Sequence, residues 1–198
     1  MRTSNDWHAL LAKWNALLLA DEEVTSSISP DKVHQGWLGY EPASDDSLRQ
    51  AERRLGVVLP PTYRTFLQTS NGWQCVGPFI ARARPVEEVE WFVTENREWA
   101  DIHIDACADL ERISEDEYLV YGDRQDPTSI RPEYLLSALQ ISDVTESTVL
   151  LLNPEIQTPE GEWEAWFFAA WAGGADRYPS FWDLMADKLR SYQVLRGK

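Results

Sequence analysis

The chain has 198 residues, 43% of them hydrophobic and 10 of them Trp, which is enough apolar mass to bury a substantial core, and it carries a formal net charge of -15. A field of that sign repels nucleic-acid phosphate and anionic lipid and speeds encounter with basic proteins, so direct binding to DNA, RNA or a membrane surface is disfavoured. There is no run of about 18 apolar residues, Asp6, Lys13 and Asn15 interrupt the N-terminal apolar stretch, and Cys75 and Cys107 are too few to staple a domain, which together predict a cytoplasmic protein with reduced, buried thiols.

In chain order, Asn5 or Asp6 can cap a first helix in which Trp7, Leu10, Leu11, Trp14, Leu17 and Leu18 recur at helical spacing, a stripe expected to dock on the protein's own core. Val24 to Gln35 is polar, contains Pro30 and reads as a linker. Residues 1–34 are therefore expected to form a helical extension and linker, and 35–198 the main domain, joined in one compact unit. Two helices lie back to back between Gly39 and Trp73. Ser44 caps the first, Asp45 and Asp46 suit its positive end, Leu48, Ala51 and Leu55 share a face, and Gly56 stops it. Pro60 and Pro61 pre-set the second, Tyr63, Phe66 and Leu67 form its apolar face, and Asn71-Gly72 is its exit.

Trp73 to Ala83 and Val86 to Val93 read as strands, with Arg82, Arg84 and Pro85 at the turn. From Thr94 to Leu110 helical spacing predicts a buried stripe of Trp99, Ile102, Ala106 and Leu110 beside an acidic face of Glu98, Asp101, Asp105 and Asp109. Tyr118 to Tyr121 reads as a short strand. Ser137 to Ile141 and Thr148 to Leu152 read as an antiparallel pair joined through 142–147, the second strand ending at Asn153-Pro154. Trp163 to Trp171 is apolar enough for a central strand buried on much of both faces, and Ser180 with Asp183 opens a last helix whose inner face is Phe181, Met185, Leu189 and Tyr192. Helices, then strands, then a closing helix, without βαβ alternation, predict an α+β fold: an antiparallel sheet with N-terminal helices and a C-terminal helix packed on it.

The ordered string formed by Leu55, Gly56, Leu59, Pro60, Tyr63, Phe66, Leu67, Asn71, Gly72 and Trp73 resembles the SUKH superfamily of Smi/Knr type, the group that includes fungal cell-wall-assembly regulators and many bacterial immunity proteins. The stretches VYGDRQDPTSIRPEYL, LLLNP and GEWEAWFFAAWAGGADRYPSFWDLM are similar to the longer bacterial members, so the resemblance covers about Trp37 to Met185. It implies the same fold, supporting roles for Trp37 and Trp73 on either side of the two helices, no transferable catalytic residue, no cofactor, and a protein partner.

Few catalytic constellations are available. There is no glycine-rich phosphate loop, H-E-x-x-H, paired C-x-x-C, G-x-S-x-G or D-x-D-x-D-G string, and the histidines are His8, His34 and His103. His103 with Asp105, Asp101 or Glu98 is a candidate divalent-metal set, but a half-buried helix position accounts for it better. Glu162 and Glu164 are a candidate acid and base pair for glycoside hydrolysis, but solvent-facing decoration of a strand accounts for them better. The charge itself is concentrated: Glu87 to Asp126 holds fourteen acidic residues against Arg97, Arg112 and Arg124, a balance of -11. Glu87, Glu88, Glu90, Glu98, Asp101, Asp105 and Asp109 are accordingly the candidate partner-binding residues. The leading expectation is a non-catalytic immunity protein, monomeric or weakly homodimeric, that neutralises a basic toxin domain such as a nuclease. The alternatives are a regulatory or scaffolding module for cell-wall synthesis or signalling, and a hydrolase built on the carboxylate pair or His103.

Overall fold

Local signals set most of the helix ends in the computed structural model, which describes residues 2–197. Helix α1 (Ser4–Leu19) begins at Thr3, two or three residues before the expected cap: the Thr3 hydroxyl accepts the Asp6 amide, and the Asp6 carboxylate accepts the Thr3 amide at 2.8 Å. Trp7, Leu10, Leu11, Trp14 and Leu18 are buried, and the Trp7 ring lies 5.2, 5.6 and 4.8 Å from those of Phe66, Phe181 and Trp182. The stretch expected as a linker is helical instead. Asp21 caps α2 (Glu22–Ser27), and Ser29 with Pro30 starts α3 (Pro30–Gln35). Asn15 fastens the segment after α3 by donating to the Gly36 carbonyl and accepting the Leu38 amide, each at 2.9 Å.

Helices α4 (Asp45–Leu55) and α5 (Pro61–Thr69) form as their caps dictate, with Ser44 accepting the Ser47 amide at 3.0 Å and Gly56 closing α4 at φ 73°. Gly72 also needs its freedom, because at φ +107° a Cβ would come 2.7 Å from the Ala83 carbonyl oxygen. The expected single strand from Trp73 is a hairpin, β1 (Trp73–Gly77) and β2 (Ile80–Ala83), reversed through Pro78-Phe79. Of Val86 to Val93 only β3 (Glu90–Trp91) is extended, since Phe92 already opens α6 (Phe92–Ala106), which is broken at Asn96. Tyr118 closes α7 (Glu115–Tyr118) where a strand was expected. Ser114 caps that helix, and three acids in its first turn suit its positive end.

Strands β4 (Leu139–Gln140), β5 (Thr148–Gln157), β6 (Trp163–Ala169) and β7 (Gly174–Tyr178) complete, with β3, a five-stranded antiparallel sheet in the order β3-β4-β5-β6-β7. Asn153-Pro154 starts a register irregularity in β5 instead of ending it, and β7 has no counterpart in the sequence expectation. Helix α8 (Phe181–Leu195) follows, capped by Ser180 as expected. The pleat divides the core. Leu150, Leu152, Trp163 and Ala165 face the layer of α1, α4, α5, α8 and the β1–β2 hairpin, while Val149, Leu151, Trp166 and Phe168 face α6, Tyr118 and the 3-10 turn Pro132–Leu136. The acidic segment thus becomes a cover over one face of the sheet.

Candidate partner-binding surface

The seven candidate carboxylates fall into two groups. Glu87 accepts from the Asn71 amide at 2.8 Å, Glu88 pairs with Arg82 at 2.5 Å and Glu90 with Arg54 at 3.0 Å, so this cluster is engaged by side chains from α4, β2 and the α5 exit. Arg84 holds Glu95 at 2.9 Å in the same way. Asp143 joins the cluster from the sheet side, 2.8 Å from Arg82 and 3.1 Å from Arg84. Burial pushes its carboxyl up, but the two guanidiniums outweigh that and hold it below its ordinary value.

From Glu98 onward the picture changes. Asp101 has only the neighbouring Arg97 on its own helix, at 2.9 Å, whereas Glu98, Asp105, Asp109, Glu111, Glu115, Asp116 and Glu117 are exposed and make no ion pair among the described residues. These seven lie on α6, its exit and α7. Within that layer the apolar stripe is rotated from the expected one. Ala100 is buried and Trp99 and His103 half-buried against Phe168, whose ring centre is 5.2 and 5.0 Å from theirs, while Ile102 and Leu110 are 58% and 68% exposed. His103 Nδ1 donates to the Trp99 carbonyl at 3.1 Å, and no group of three His, Cys, Asp or Glu side chains placed to hold a metal exists among the described residues.

The cover is stapled to the sheet by Glu164, the residue whose surroundings differ most from expectation. Strand β6 is packed on both faces, so Glu164 cannot reach water. It is 1% exposed and accepts from Tyr118 Oη (2.8 Å), Asn153 Nδ2 (2.9 Å), Trp166 Nε1 (2.6 Å), Tyr121 Oη (3.1 Å) and Arg177 (3.2 Å). Arg177 is itself buried, donates to the Tyr118 carbonyl, and stacks 4.0 Å above the Tyr118 ring. Burial, with the charge of Glu164 adding to it, raises the Tyr118 and Tyr121 hydroxyls well above the ordinary phenol range, so both remain donors. Glu162 is occupied as well, accepting the Thr62 amide (3.1 Å) and hydroxyl (2.7 Å) at the start of α5. Each of the two acids is committed to the fold by these hydrogen bonds. No sequence pattern singled out Arg177. A Glu in the middle of a strand buried on both faces was the available signal that such a partner had to exist.

Cys75 and Cys107 are both unpaired and half-buried, and burial raises the Cys75 thiol. Among the described residues, no helix is long and apolar enough to cross a membrane.

Two helical layers around an antiparallel meander, with the buried Glu164–Arg177 pair inside and seven unpaired acids along α6, its exit and α7, define an α+β protein with a strongly acidic cover on one face of the sheet. The model of the SMI1 / KNR4 family (SUKH-1) matches residues 42–187, and the chain belongs to that family. The matched region begins after α1, α2 and α3, although α1 shares the core with α5 and α8. A search of the curated proteins finds no match.

Proposed function

We propose that this SUKH-1 protein is a non-catalytic immunity protein that neutralises a basic toxin domain by direct binding at the cover formed by α6, its exit and α7. The observation that carries the reading is the separation of the charges within residues 87–117: Glu87, Glu88, Glu90 and Glu95 have partners from elsewhere in the fold, whereas Glu98, Asp105, Asp109, Glu111, Glu115, Asp116 and Glu117 make no ion pair among the described residues. Such a field raises the encounter rate with a cation-rich surface of the kind that holds phosphate in nucleases. The family supports a protein partner.

Co-expression with a toxin domain found in a neighbouring reading frame tests the reading. The wild-type chain restores growth and forms a complex that survives size-exclusion chromatography, and the triple variant Glu98→Lys, Asp105→Lys, Asp109→Lys does neither while keeping its fold. Failure of the wild type in both assays removes the immunity role and leaves the regulatory one.

A further inference from the structure

We infer that the pocket at the C-terminal end of α6 is the anchor of this docking surface, and that it takes one apolar side chain of leucine or phenylalanine size from a basic amphipathic segment of the partner protein. The inference rests on the reading of the cover as a partner surface and adds what holds the partner after charge has steered it there.

The pocket is about 260 Å³, and Ile104, Cys107, Leu110, Ile113, Ile130 and Pro132 give it apolar walls. That volume is below the roughly 300–1,000 Å³ of small-molecule sites and suits a single large side chain, the form that interface anchors take. Leu110 is 68% exposed at its edge, an apolar side chain left in water beside a concavity.

Its charged lining selects the occupant. Arg112 and Glu133 neutralise one another at 3.1 Å, and Glu111 at the edge makes no ion pair among the described residues, next to Asp109 along the chain. Arg131 is fixed in the wall at 9% exposure: its terminal nitrogens donate to Tyr134 Oη (2.9 Å) and the Ile113 carbonyl (3.1 Å), its plane lies 4.6 Å above the Tyr118 ring, and its Nε faces no acceptor among the described residues. A second cation inside would be repelled by that guanidinium, and an anionic segment would be repelled by the surrounding field. The combination that remains is an uncharged apolar side chain in the pocket with lysine or arginine around it, facing Glu111 at the edge and Asp109 two residues before it in the chain.

The test uses the full chain and three synthetic 18-residue peptides: one with leucine on one helical face and lysine on the other, one with serine replacing leucine, and one with glutamate replacing lysine. Amide and methyl NMR shifts are followed by titration. The leucine–lysine peptide is expected to shift Ile104, Leu110, Ile113 and Ile130 and to bind at least about tenfold more tightly than the serine–lysine peptide, the effect of burying one such side chain. Ala108→Trp, which fills the pocket from an exposed wall position, is expected to abolish that tenfold advantage and leave the binding of the serine–lysine peptide unchanged. Equal binding of the two lysine peptides along α6 and α7 overturns the anchor and leaves the acidic surface standing. No shift along α6 and α7 with either lysine peptide removes the surface itself, and binding of the glutamate peptide at the pocket overturns the charge selection.

Discussion

Replacing Glu164 by Gln removes the carboxylate that pairs with Arg177 inside the molecule. Glu164 accepts five hydrogen bonds, three at one oxygen from Tyr118, Asn153 and Trp166 and two at the other from Tyr121 and Arg177. A glutamine carbonyl can keep the first three. Its amide then points donors at Tyr121, which can turn its hydroxyl to accept, and at Arg177, which has nothing to accept with. An uncompensated buried guanidinium costs about 3–5 kcal/mol, a large share of the roughly 5–15 kcal/mol that holds a domain together. At about 2–4 °C per kcal/mol for a chain of this size, Tm should fall by roughly 6–20 °C. Because Tyr118 and Tyr121 connect the cover to β6, amide exchange across 114–121 should accelerate more than exchange in α4 or α5. Urea denaturation followed by Trp fluorescence gives the stability, and hydrogen exchange by mass spectrometry gives the distribution. The double variant Glu164→Gln, Arg177→Met should lose less than the sum of the two single variants. A Glu164→Gln protein within about 1 kcal/mol of wild type, with exchange unchanged at 114–121, would refute the assignment of this pair as the staple.

The same packing sets three further outcomes. Trp7→Ala should cost about 3–5 kcal/mol in urea denaturation, because the indole is fully buried among Phe66, Phe181 and Trp182; a loss below about 1 kcal/mol would show α1 to be a detachable arm. Glu146 and Ser147 form the two-residue turn between Thr145 and Thr148 with φ 48° and 58°, so Ser147→Gly should stabilise by about 0.5–1 kcal/mol, and a loss of stability would contradict the left-handed turn. The folded carboxyl of Asp143 titrates below its ordinary value, so its pairing with Arg82 and Arg84 contributes fully above the unfolded value near pH 4 and is lost as pH falls through the folded one. Asp143→Asn should flatten that part of the acid limb, by about 1 kcal/mol given the partial exposure of the pairs, and an unchanged limb would rule the triad out as a source of acid sensitivity.

The parts of the fold that are legible in the sequence are those written in short-range chemistry. Helices α4 and α5 carry their own caps and stops in Ser44, Gly56 and Pro60-Pro61, and α8 carries Ser180 with Asp183, so their bounds can be read without knowledge of the rest. Strand β7 is illegible because Gly174, Ala175 and Asp176 are poor strand formers, and only pairing with β6 makes them one. In α6, apolar residues are frequent enough that two stripes fit. The inner one runs through Asn96, Ala100 and His103, and its polar members hid it: Asn96 donates to the buried Gln140 at 2.7 Å, and His103 lies against Phe168. Glu164 was misplaced by reading its charge ahead of its strand. Of the candidate partner residues, Glu98, Asp105 and Asp109 lie within the unpaired group, whereas Glu90 is engaged by Arg54 from 36 residues away, which no local pattern encodes, and Glu88 by Arg82 only because the chain reverses between them after β2.

The association rate between this chain and the basic toxin domain proposed as its partner, measured by stopped flow across ionic strength, is the most direct test of electrostatic docking at the cover. The rate should fall by more than about tenfold between roughly 0.01 M and 0.15 M salt, and the Glu98→Lys, Asp105→Lys, Asp109→Lys variant should already be slow at the low-salt end. A rate that is indifferent both to salt and to those three reversals would contradict electrostatic docking.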